Sequence, residues 1–293
     1  MDNKYELIPS DIEGLFRIKA LKDFNNVKKG DIGGYIQSEN NLSQLDDCWI
    51  YDDAVVRDNA KVCHNAQIYD EVIVMGNAEV CDNVQIYDNA FVSGNAHVCD
   101  NVVVIGKAIV CDNARVRNNA QIYGNAYLHG NAKVCGDAHV YGDTEVSVDA
   151  EVSGDAEVSG DADVSGDAII SSNKDYIVFK NWWSSGRYFT WTRSNNMWKV
   201  GCFYGTGEEL IAKAYKDSAE SGTEYENIVR YAEGENKHYT QSLEKTWKPT
   251  QKQLDAIELA KTFVTDDFGE NPTLTDTLNE LLEQLKKLTG EDI

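Results

Sequence analysis

Seven cysteines are the first residues of this 293-residue chain whose type and spacing could do chemistry. Cys63, Cys81 and Cys99 follow one another at intervals of 18 residues, and Cys135 lies two such intervals after Cys99. A tetrahedral metal ion needs ligands on several sides, so four thiols in one straight row do not make such a site. No CxxC pair is present either. We therefore interpret the cysteines as free thiols of a reducing compartment, and the sequence predicts no metal and no cofactor.

Histidine could act as a general base or bind a metal. His97, His129 and His139 fall on three different outward-facing rows when the chain is read in steps of 18, so they do not converge on one ion. Only His129 lies near an apolar row, two residues after Tyr127. His129 is therefore the one candidate catalytic residue, and the alternative is an ordinary surface histidine.

A third candidate is a cluster of basic and aromatic residues in an otherwise acidic chain. Arginine and lysine interleave with tryptophan and tyrosine, and a Gly-Thr-Gly segment then leads into a predicted helix N-terminus. Guanidinium groups, aromatic rings and the first amides of a helix suit a phosphate or a nucleotide. The alternative is an amphipathic hairpin that packs on the rest of the protein. The predicted ligand-binding residues are Arg187, Trp191, Arg193, Trp198, Lys199, Tyr204, Gly205, Thr206 and Gly207.

These residues are positioned by a six-residue repeat that runs from Cys48 to Ser171 without an insertion or a deletion. Each hexad places a small residue, usually Ala, two positions before an aliphatic one. This alternation predicts a short strand with one face inward, and the Gly/Asp and Asn/Asp residues that follow predict a turn. Three hexads close a triangular coil of 18 residues, so the 21 hexads make about seven regular coils, which stack at a spacing of about 4.8 Å.

The repeat resembles that of the hexapeptide-repeat proteins, which are left-handed parallel β-helices dominated by acyltransferases. It places Gly/Asp one position later than that family does, a variant seen in uncharacterised bacterial and phage proteins. The resemblance implies a left-handed helix, a trimer and, if activity is retained, acyl transfer from acyl-CoA by a histidine beside a subunit groove. No loop leaves the predicted helix, and His129 is the only histidine near such a groove. We therefore expect a non-catalytic scaffold, with an acyltransferase as the alternative.

Reading every eighteenth residue also reveals an apolar stripe on one outer face of the predicted prism. Outward positions need not be apolar, so an unbroken stripe over five coils indicates burial against another surface. We expect a subunit seam of a homo-oligomer, with a trimer favoured, or a dock for the C-terminal module. The predicted seam residues are Val55, Ile73, Phe91, Ile109 and Tyr127.

The segments outside the repeat complete the predicted organisation, which is mainly β. Residues 1–47 form an N-terminal cap with an irregular first coil, and residues 48–172 form the left-handed β-helix. Residues 173–235 form a small Trp-rich α+β module with helices that open at capping boxes at Thr206 and Thr223. A polar linker follows at residues 236–249, and residues 250–293 form an α-helical hairpin. Within the module, the predicted strands span residues 176–180, 186–193 and 197–204, and the alternative is a module with four strands.

The net charge of −22 limits the possible partners. A chain this acidic repels nucleic acid and anionic membranes, so direct nucleic-acid binding is not expected. No apolar run is long enough to span a membrane, and the first residues lack a signal-peptide core, so we expect a cytoplasmic protein. The predicted function is a homo-oligomeric binding scaffold, encoded by a phage or prophage. It would bind or sequester a host protein or a small anionic, nucleotide-like ligand, as anti-defence proteins do.

Overall fold

The computed structural model describes residues 3–181 and 186–246. It confirms the mainly-β class: a parallel β-solenoid of about eight turns is followed by a small antiparallel sheet and two helices. The chain divides into two compact units, Met1–Val229 and Arg230–Ile293. The solenoid and the antiparallel sheet both belong to the first unit. The predicted hairpin at residues 250–293 lies outside the described residues, and the left hand of the helix, which the resemblance implies, stays a prediction.

Each hexad forms a two-residue strand because its small and aliphatic side chains point inward on either side of an outward one. The inward side chains are buried, as Ala60 and Val62 show. Each strand pairs in parallel with the strand 18 residues later, for example Lys61 with Glu79. The corner residues adopt the left-handed backbone region that Gly, Asp and Asn tolerate, and Asp58 with a φ of 58° is typical.

The strands of the solenoid form three faces, called the first, second and third face. The first face contains β3 (Ile32–Ile36), β5 (Val55–Val56), β8 (Ile73–Val74), β11 (Phe91–Val92), β14 (Ile109–Val110), β17 (Tyr127–Leu128), β20 (Glu145–Val146) and β23 (Asp163–Val164). The second face contains β6 (Lys61–Val62), β9 (Glu79–Val80), β12 (His97–Val98), β15 (Arg115–Val116), β18 (Lys133–Val134), β21 (Glu151–Val152) and β24 (Ile169–Ile170). The third face contains β4 (Trp49–Ile50), β7 (Gln67–Ile68), β10 (Gln85–Ile86), β13 (Val103–Val104), β16 (Gln121–Ile122), β19 (His139–Val140) and β22 (Glu157–Val158).

The N-terminal segment covers the start of the solenoid. Lys4 is buried, and its Nζ donates to three backbone carbonyls, including that of Cys48 at 2.9 Å. Trp49 is buried in the same region and packs edge-on against the ring of Tyr5. A one-turn 3₁₀ helix (Glu39–Asn41) precedes the first regular coil. The first-face sheet continues here into two antiparallel strands, β1 (Tyr5–Pro9) and β2 (Phe16–Ala20).

An antiparallel sheet of four strands follows the last coil. The prediction of one strand over residues 197–204 is wrong, because the chain turns at Gly201 (φ 56°) and splits this apolar run into a hairpin. The helix α1 (Gly207–Asp217) begins at the predicted capping box, in which Thr206 accepts from the Glu209 amide. The strands are β25 (Tyr176–Lys180), β26 (Tyr188–Thr192), β27 (Met197–Val200) and β28 (Phe203–Thr206).

The helix α2 (Ala219–Thr246) differs from its prediction at both ends. It begins before Thr223, whose hydroxyl donates to the carbonyl of Ala219 at 3.0 Å inside the helix instead of capping it. It also continues through residues 236–246, which the sequence predicts as a linker. That segment is polar but contains no Gly or Pro, so its composition does not break a helix. Within residues 3–181 and 186–246, no helix has both the length and the hydrophobicity of a membrane span.

Candidate functional site

A groove of about 720 Å³ lies on the second face of the solenoid. Its volume falls within the usual range of small-ligand sites, roughly 300–1,000 Å³. The groove is formed by outward side chains of β12, β15, β18 and β21 and by residues of the adjoining corners. The residues that line it are Asn95, His97, Cys99, Arg115, Val116, Arg117, Lys133 and Glu151. We call this feature the cationic groove.

Three exposed cations dominate the electrostatics of the cationic groove. Arg115 and Lys133 are direct partners in the parallel ladder, and Arg117 follows Arg115 by two residues. In the part of the chain that the structure describes, no carboxylate lies within ion-pairing distance of these three side chains. Like charges that face each other across a ladder repel. The groove is therefore a local positive region on a protein whose net charge is −22, and it is electrostatically suited to an anion.

Sequence reasoning missed this groove although the signal was present. Arg115 and Lys133 are consecutive residues of one 18-residue row, and Arg117 replaces cysteine in the neighbouring row. Taken row by row, each basic residue is an ordinary exposed side chain. Only the two rows together place three cations side by side.

The predicted thiol row lies next to the groove and is made of free cysteines. Cys81 is buried, and Cys63 and Cys99 are half-buried. A hydrogen bond from the Cys81 thiol lowers the pKa of Cys63 to about 7, and the same bond raises the pKa of Cys81. Burial raises the pKa of the Cys99 thiol. Of these three thiols, only Cys63 has a lowered pKa.

His129, the candidate catalytic residue, is held by its neighbours at the edge of the first face. Its ring stacks on Tyr127 with centroids 4.4 Å apart. Its Nε2 lies 3.0 Å from the Glu145 carboxylate, and its Nδ1 lies 3.9 Å from that of Asp112. Among the described residues, no inserted loop interrupts the coil that carries it. An acyltransferase role for His129 stays a prediction.

The five predicted seam residues are aligned in register on the first face. Ladder pairs join Val55 to Ile73, Ile73 to Phe91, Phe91 to Ile109, and Ile109 to Tyr127. The first four side chains of the stripe, three aliphatic and one phenylalanine, are half-buried, and Tyr127 is 37% exposed. The stripe is therefore continuous and accessible in the single chain, and its role as a subunit seam stays a prediction.

The residues of the predicted anion site in the C-terminal module lie in different environments. Trp191 and Trp198 are fully buried, and the Trp191 indole donates to Asn196 at 3.1 Å. Lys199 pairs with Asp163 of the last solenoid coil at 3.5 Å. Arg187 is exposed and Arg193 is half-buried. The two tryptophans thus contribute to the core of the sheet, as in the alternative interpretation.

The N-terminus of α1 is occupied by groups of the chain itself. The Thr206 amide and hydroxyl both donate to the Glu209 carboxylate, at 2.9 and 3.0 Å. Gly205 and Gly207 are buried, whereas Tyr204 is 40% exposed and its hydroxyl accepts from Asn195 at 3.2 Å. A ligand at this end of α1 would have to displace the Glu209 carboxylate. The predicted anion site in this module stays untested.

Comparisons with known proteins agree with the repeat. Residues 84–100 match the family model described as the YdcK beta solenoid repeat. No curated protein matches the chain. The matched residues span most of one coil and include β10, β11 and β12. The match and the coil geometry together show a β-solenoid repeat protein.

Proposed function

We propose that this protein is a non-catalytic binding scaffold and that its cationic groove binds a small anion with several negative charges, of the phosphate-bearing class. The observation that carries the proposal is the direct ladder pairing of Arg115 with Lys133 beside Arg117, with no ion-paired carboxylate among the described residues. A bound anion would convert the repulsion between these cations into attraction.

The side-chain types favour phosphate over a simple carboxylate. Arg115 and Arg117 each present a planar guanidinium, whose donors match phosphate oxygens in pairs. Lys133 adds a mobile ammonium group, and His97 lies at the rim of the groove. Glu151 closes the other rim, so a ligand with its charge concentrated at one end fits better than a uniformly charged polymer.

The rigid solenoid supports a binding function because its backbone is fixed by a hydrogen-bonded ladder from coil to coil. Self-association through the apolar stripe, with a trimer favoured, belongs to the same proposal and would present several copies of the groove. The phage origin and the anti-defence role that the resemblance implies, and a host-protein partner, stay predictions.

Isothermal titration with ATP and with inorganic pyrophosphate tests the proposal. We expect the wild-type protein to bind at least one of these probes. We expect Arg115→Gln/Arg117→Gln to weaken binding at least ~10-fold, because each substitution removes charge-assisted hydrogen bonds. Binding should also weaken as salt is added, since the groove is solvent-exposed.

Arg57→Gln/Lys61→Gln is the matched control, because it removes two exposed cations that do not line the groove. It should change the affinity less than ~2-fold, because salt largely screens the interaction between the bound anion and charges outside the groove. Absence of binding to both probes would contradict the proposal. Equal losses in the groove variant and in the control would show a non-specific charge effect instead.

A further inference from the structure

A second row of potential metal ligands runs beside the thiols of the second-face corner. The residue after each cysteine of the row is a corner residue: His64 follows Cys63, and Asp82 follows Cys81. Corner residues stack from coil to coil just as the thiols do. Two successive coils therefore supply four donors, two from each coil. These donors lie in two rows, so they can surround an ion, which thiols in one straight row cannot do.

The donor atoms of this set already lie close together. The Cys63 sulfur, a ring nitrogen of His64 and the Cys81 sulfur are all within 4.8 Å of one another. The Cys63 sulfur lies 4.0 Å from His64 Nδ1, and the Cys81 sulfur lies 3.6 Å from an oxygen of Asp82. The other Asp82 oxygen lies 3.0 Å from His64 Nδ1.

These separations approach those around a tetrahedral zinc ion. With bonds of about 2.3 Å to sulfur and about 2.0–2.1 Å to nitrogen, neighbouring ligand atoms lie about 3.3–3.8 Å apart. Contraction of less than ~1 Å would bring the two sulfurs and the imidazole into this range, and exposed side chains such as His64 can move that far by rotation alone.

We propose that Cys63, His64, Cys81 and Asp82 form a zinc-binding site on the edge of the solenoid. Two sulfurs, one imidazole nitrogen and one carboxylate oxygen are the ligand types that zinc takes in proteins. The four residues come from two successive coils, so the ion would bridge the coils. The site goes beyond the binding function proposed above and does not depend on it.

His64 and Asp82 already place one nitrogen donor and one oxygen donor side by side at this position. The His64 Nδ1 lies 3.0 Å from an Asp82 carboxylate oxygen, the separation of an ordinary hydrogen bond or ion pair. A metal ion bound by both atoms would replace this direct contact. The His64 and Asp82 side chains are 56% and 41% exposed, so an ion could reach the site from solvent, while Cys81 anchors it from the buried side.

Neighbouring positions of the same two rows are poorer sites. The Asp82, Cys99 and Asp100 donors also lie within 4.8 Å of one another, but this trio has a single thiol of its own and no imidazole, and it shares Asp82 with the proposed site. Further along, Cys135 is followed by Gly136, which offers no side-chain donor. The proposed site is therefore the only position along these described rows where two thiols and an imidazole converge.

The test is zinc retention by the full chain, prepared with a non-thiol reductant, equilibrated with Zn²⁺ and passed through a desalting column before metal analysis. We expect about one zinc per chain in the wild type. Cys63→Ser/Cys81→Ser should retain at least ~10-fold less zinc. Loss of a residue that only hydrogen-bonds to a metal ligand already weakens metal binding by this factor, and this variant loses two ligands. Cys111→Ser/Cys135→Ser removes two thiols elsewhere and should retain the wild-type amount.

His64→Asn is a second, milder variant, because His64 is exposed and has a φ of 55°, a conformation that asparagine tolerates. It should also lose zinc while it keeps the circular dichroism spectrum of the wild type. Cobalt provides a spectroscopic check: Co²⁺ in the wild type should give a sulfur-to-metal charge-transfer band that both site variants lack.

Three results would overturn the inference. The wild type could fail to retain zinc, the Cys111/Cys135 control could lose as much zinc as the site variants, or His64→Asn could retain full occupancy together with the cobalt band. Loss of zinc from the two site variants alone, with the control unchanged, would support it.

Discussion

Asn95 lies in the middle of a ladder of corner amides that connects successive coils. Its Oδ1 accepts from Asn77 at 2.9 Å, and its Nδ2 donates to Asn113 at 3.0 Å. Every interior member of such a ladder must both accept and donate, which an amide does and a carboxylate does not. The ladder ends where Asn131 donates to Asp149 at 2.9 Å, a position that needs only an acceptor.

Replacement of one interior amide by a carboxylate should therefore destabilise the solenoid. In Asn95→Asp the carboxylate can still accept from Asn77, but it faces the Asn113 oxygen without a proton to donate. We expect a loss of about 1 kcal/mol in the free energy of unfolding, the usual value of one hydrogen bond. Chemical denaturation at pH 7, monitored by circular dichroism, measures this loss.

Asp149→Asn is the matched control, because an amide at the end of the ladder still accepts from Asn131. It should change the free energy of unfolding by less than ~0.5 kcal/mol, as surface substitutions usually do. If Asn95→Asp is as stable as the control, the amide ladder contributes nothing measurable to the solenoid.

At the scale of elements, the antiparallel sheet closes the C-terminal end of the solenoid. In the solenoid, backbone N–H groups of each coil donate to carbonyl oxygens of the next coil. The last coil has no next coil, and side chains of the following segment accept from its N–H groups instead. The Asp163 amide donates to the Thr190 hydroxyl at 2.8 Å, and the Ile169 amide donates to the Ser194 hydroxyl at 2.7 Å. An exposed sheet edge is an aggregation hazard, and this arrangement covers it.

Asp163 of β23 is the titratable group at this junction. Burial raises its pKa to about 6, helped by the nearby Glu145 carboxylate, whereas the ion pair with Lys199 at 3.5 Å and the more distant His129 act in the opposite direction. One carboxylate oxygen is buried without a hydrogen-bond partner. In the folded protein the carboxyl group therefore holds its proton to a higher pH than it does in the unfolded chain.

This difference makes a testable contribution to the pH dependence of stability. The folded state binds more protons than the unfolded state between about pH 4 and 6, so the contribution of Asp163 is full below this window and is lost as the pH rises through it. Asp163→Asn removes the titration. Relative to the wild type, its free energy of unfolding should rise by about 2 kcal/mol between pH 4.5 and pH 7, as urea denaturation at both pH values would measure.

Thr190→Val is the control for the junction itself. It removes the acceptor of the Asp163 amide, costs about 1 kcal/mol, and should cost the same at both pH values because no charge is altered. A difference between Asp163→Asn and the wild type that does not vary with pH would show that the Asp163 carboxyl titrates alike in both states.

The six-residue rhythm was sufficient to predict the strands, the coil length and the outward rows, because period-two alternation and left-handed corners are local properties of the chain. The junction was less accessible to prediction. The turn at Gly201 lies inside an apolar run. At the start of α2 the Ser218 hydroxyl accepts from the Ser221 amide at 3.0 Å, a local cap that the sequence reading passed over in favour of Thr223. The cationic groove and the Cys63–His64 corner depend on contacts between neighbouring rows, which a row-by-row reading does not include.

At the scale of the whole molecule, the apolar stripe of the first face is a row of outward side chains that no other described part of the chain explains. Phe91 and Ile109 lie at its centre and are ladder partners. Polar or charged residues occupy the same outward positions further along this face, at Glu145 and Asp163, so the parallel-sheet geometry does not itself require apolar side chains there. A contiguous apolar patch on a soluble protein usually marks an interaction surface.

We therefore expect Phe91→Asp/Ile109→Asp to dissociate a homo-oligomer into single chains, because two carboxylates at the centre of a packed seam would be buried without partners. Light scattering coupled to size exclusion gives the mass of each species. The wild type should have a multiple of the 32.7 kDa chain mass, three-fold if the resemblance to the hexapeptide-repeat proteins extends to assembly, and the variant should have the mass of one chain.

Val103→Asp is the matched control, since Val103 is also a half-buried outward residue but lies on the third face. It should leave the mass of the oligomer unchanged. A wild type with the mass of a single chain would refute the seam, and so would a stripe variant that keeps both the wild-type mass and its circular dichroism spectrum. In either case the stripe would not be a seam between copies of this chain, and in the first case the cationic groove would act in a monomer, with one anion site per particle.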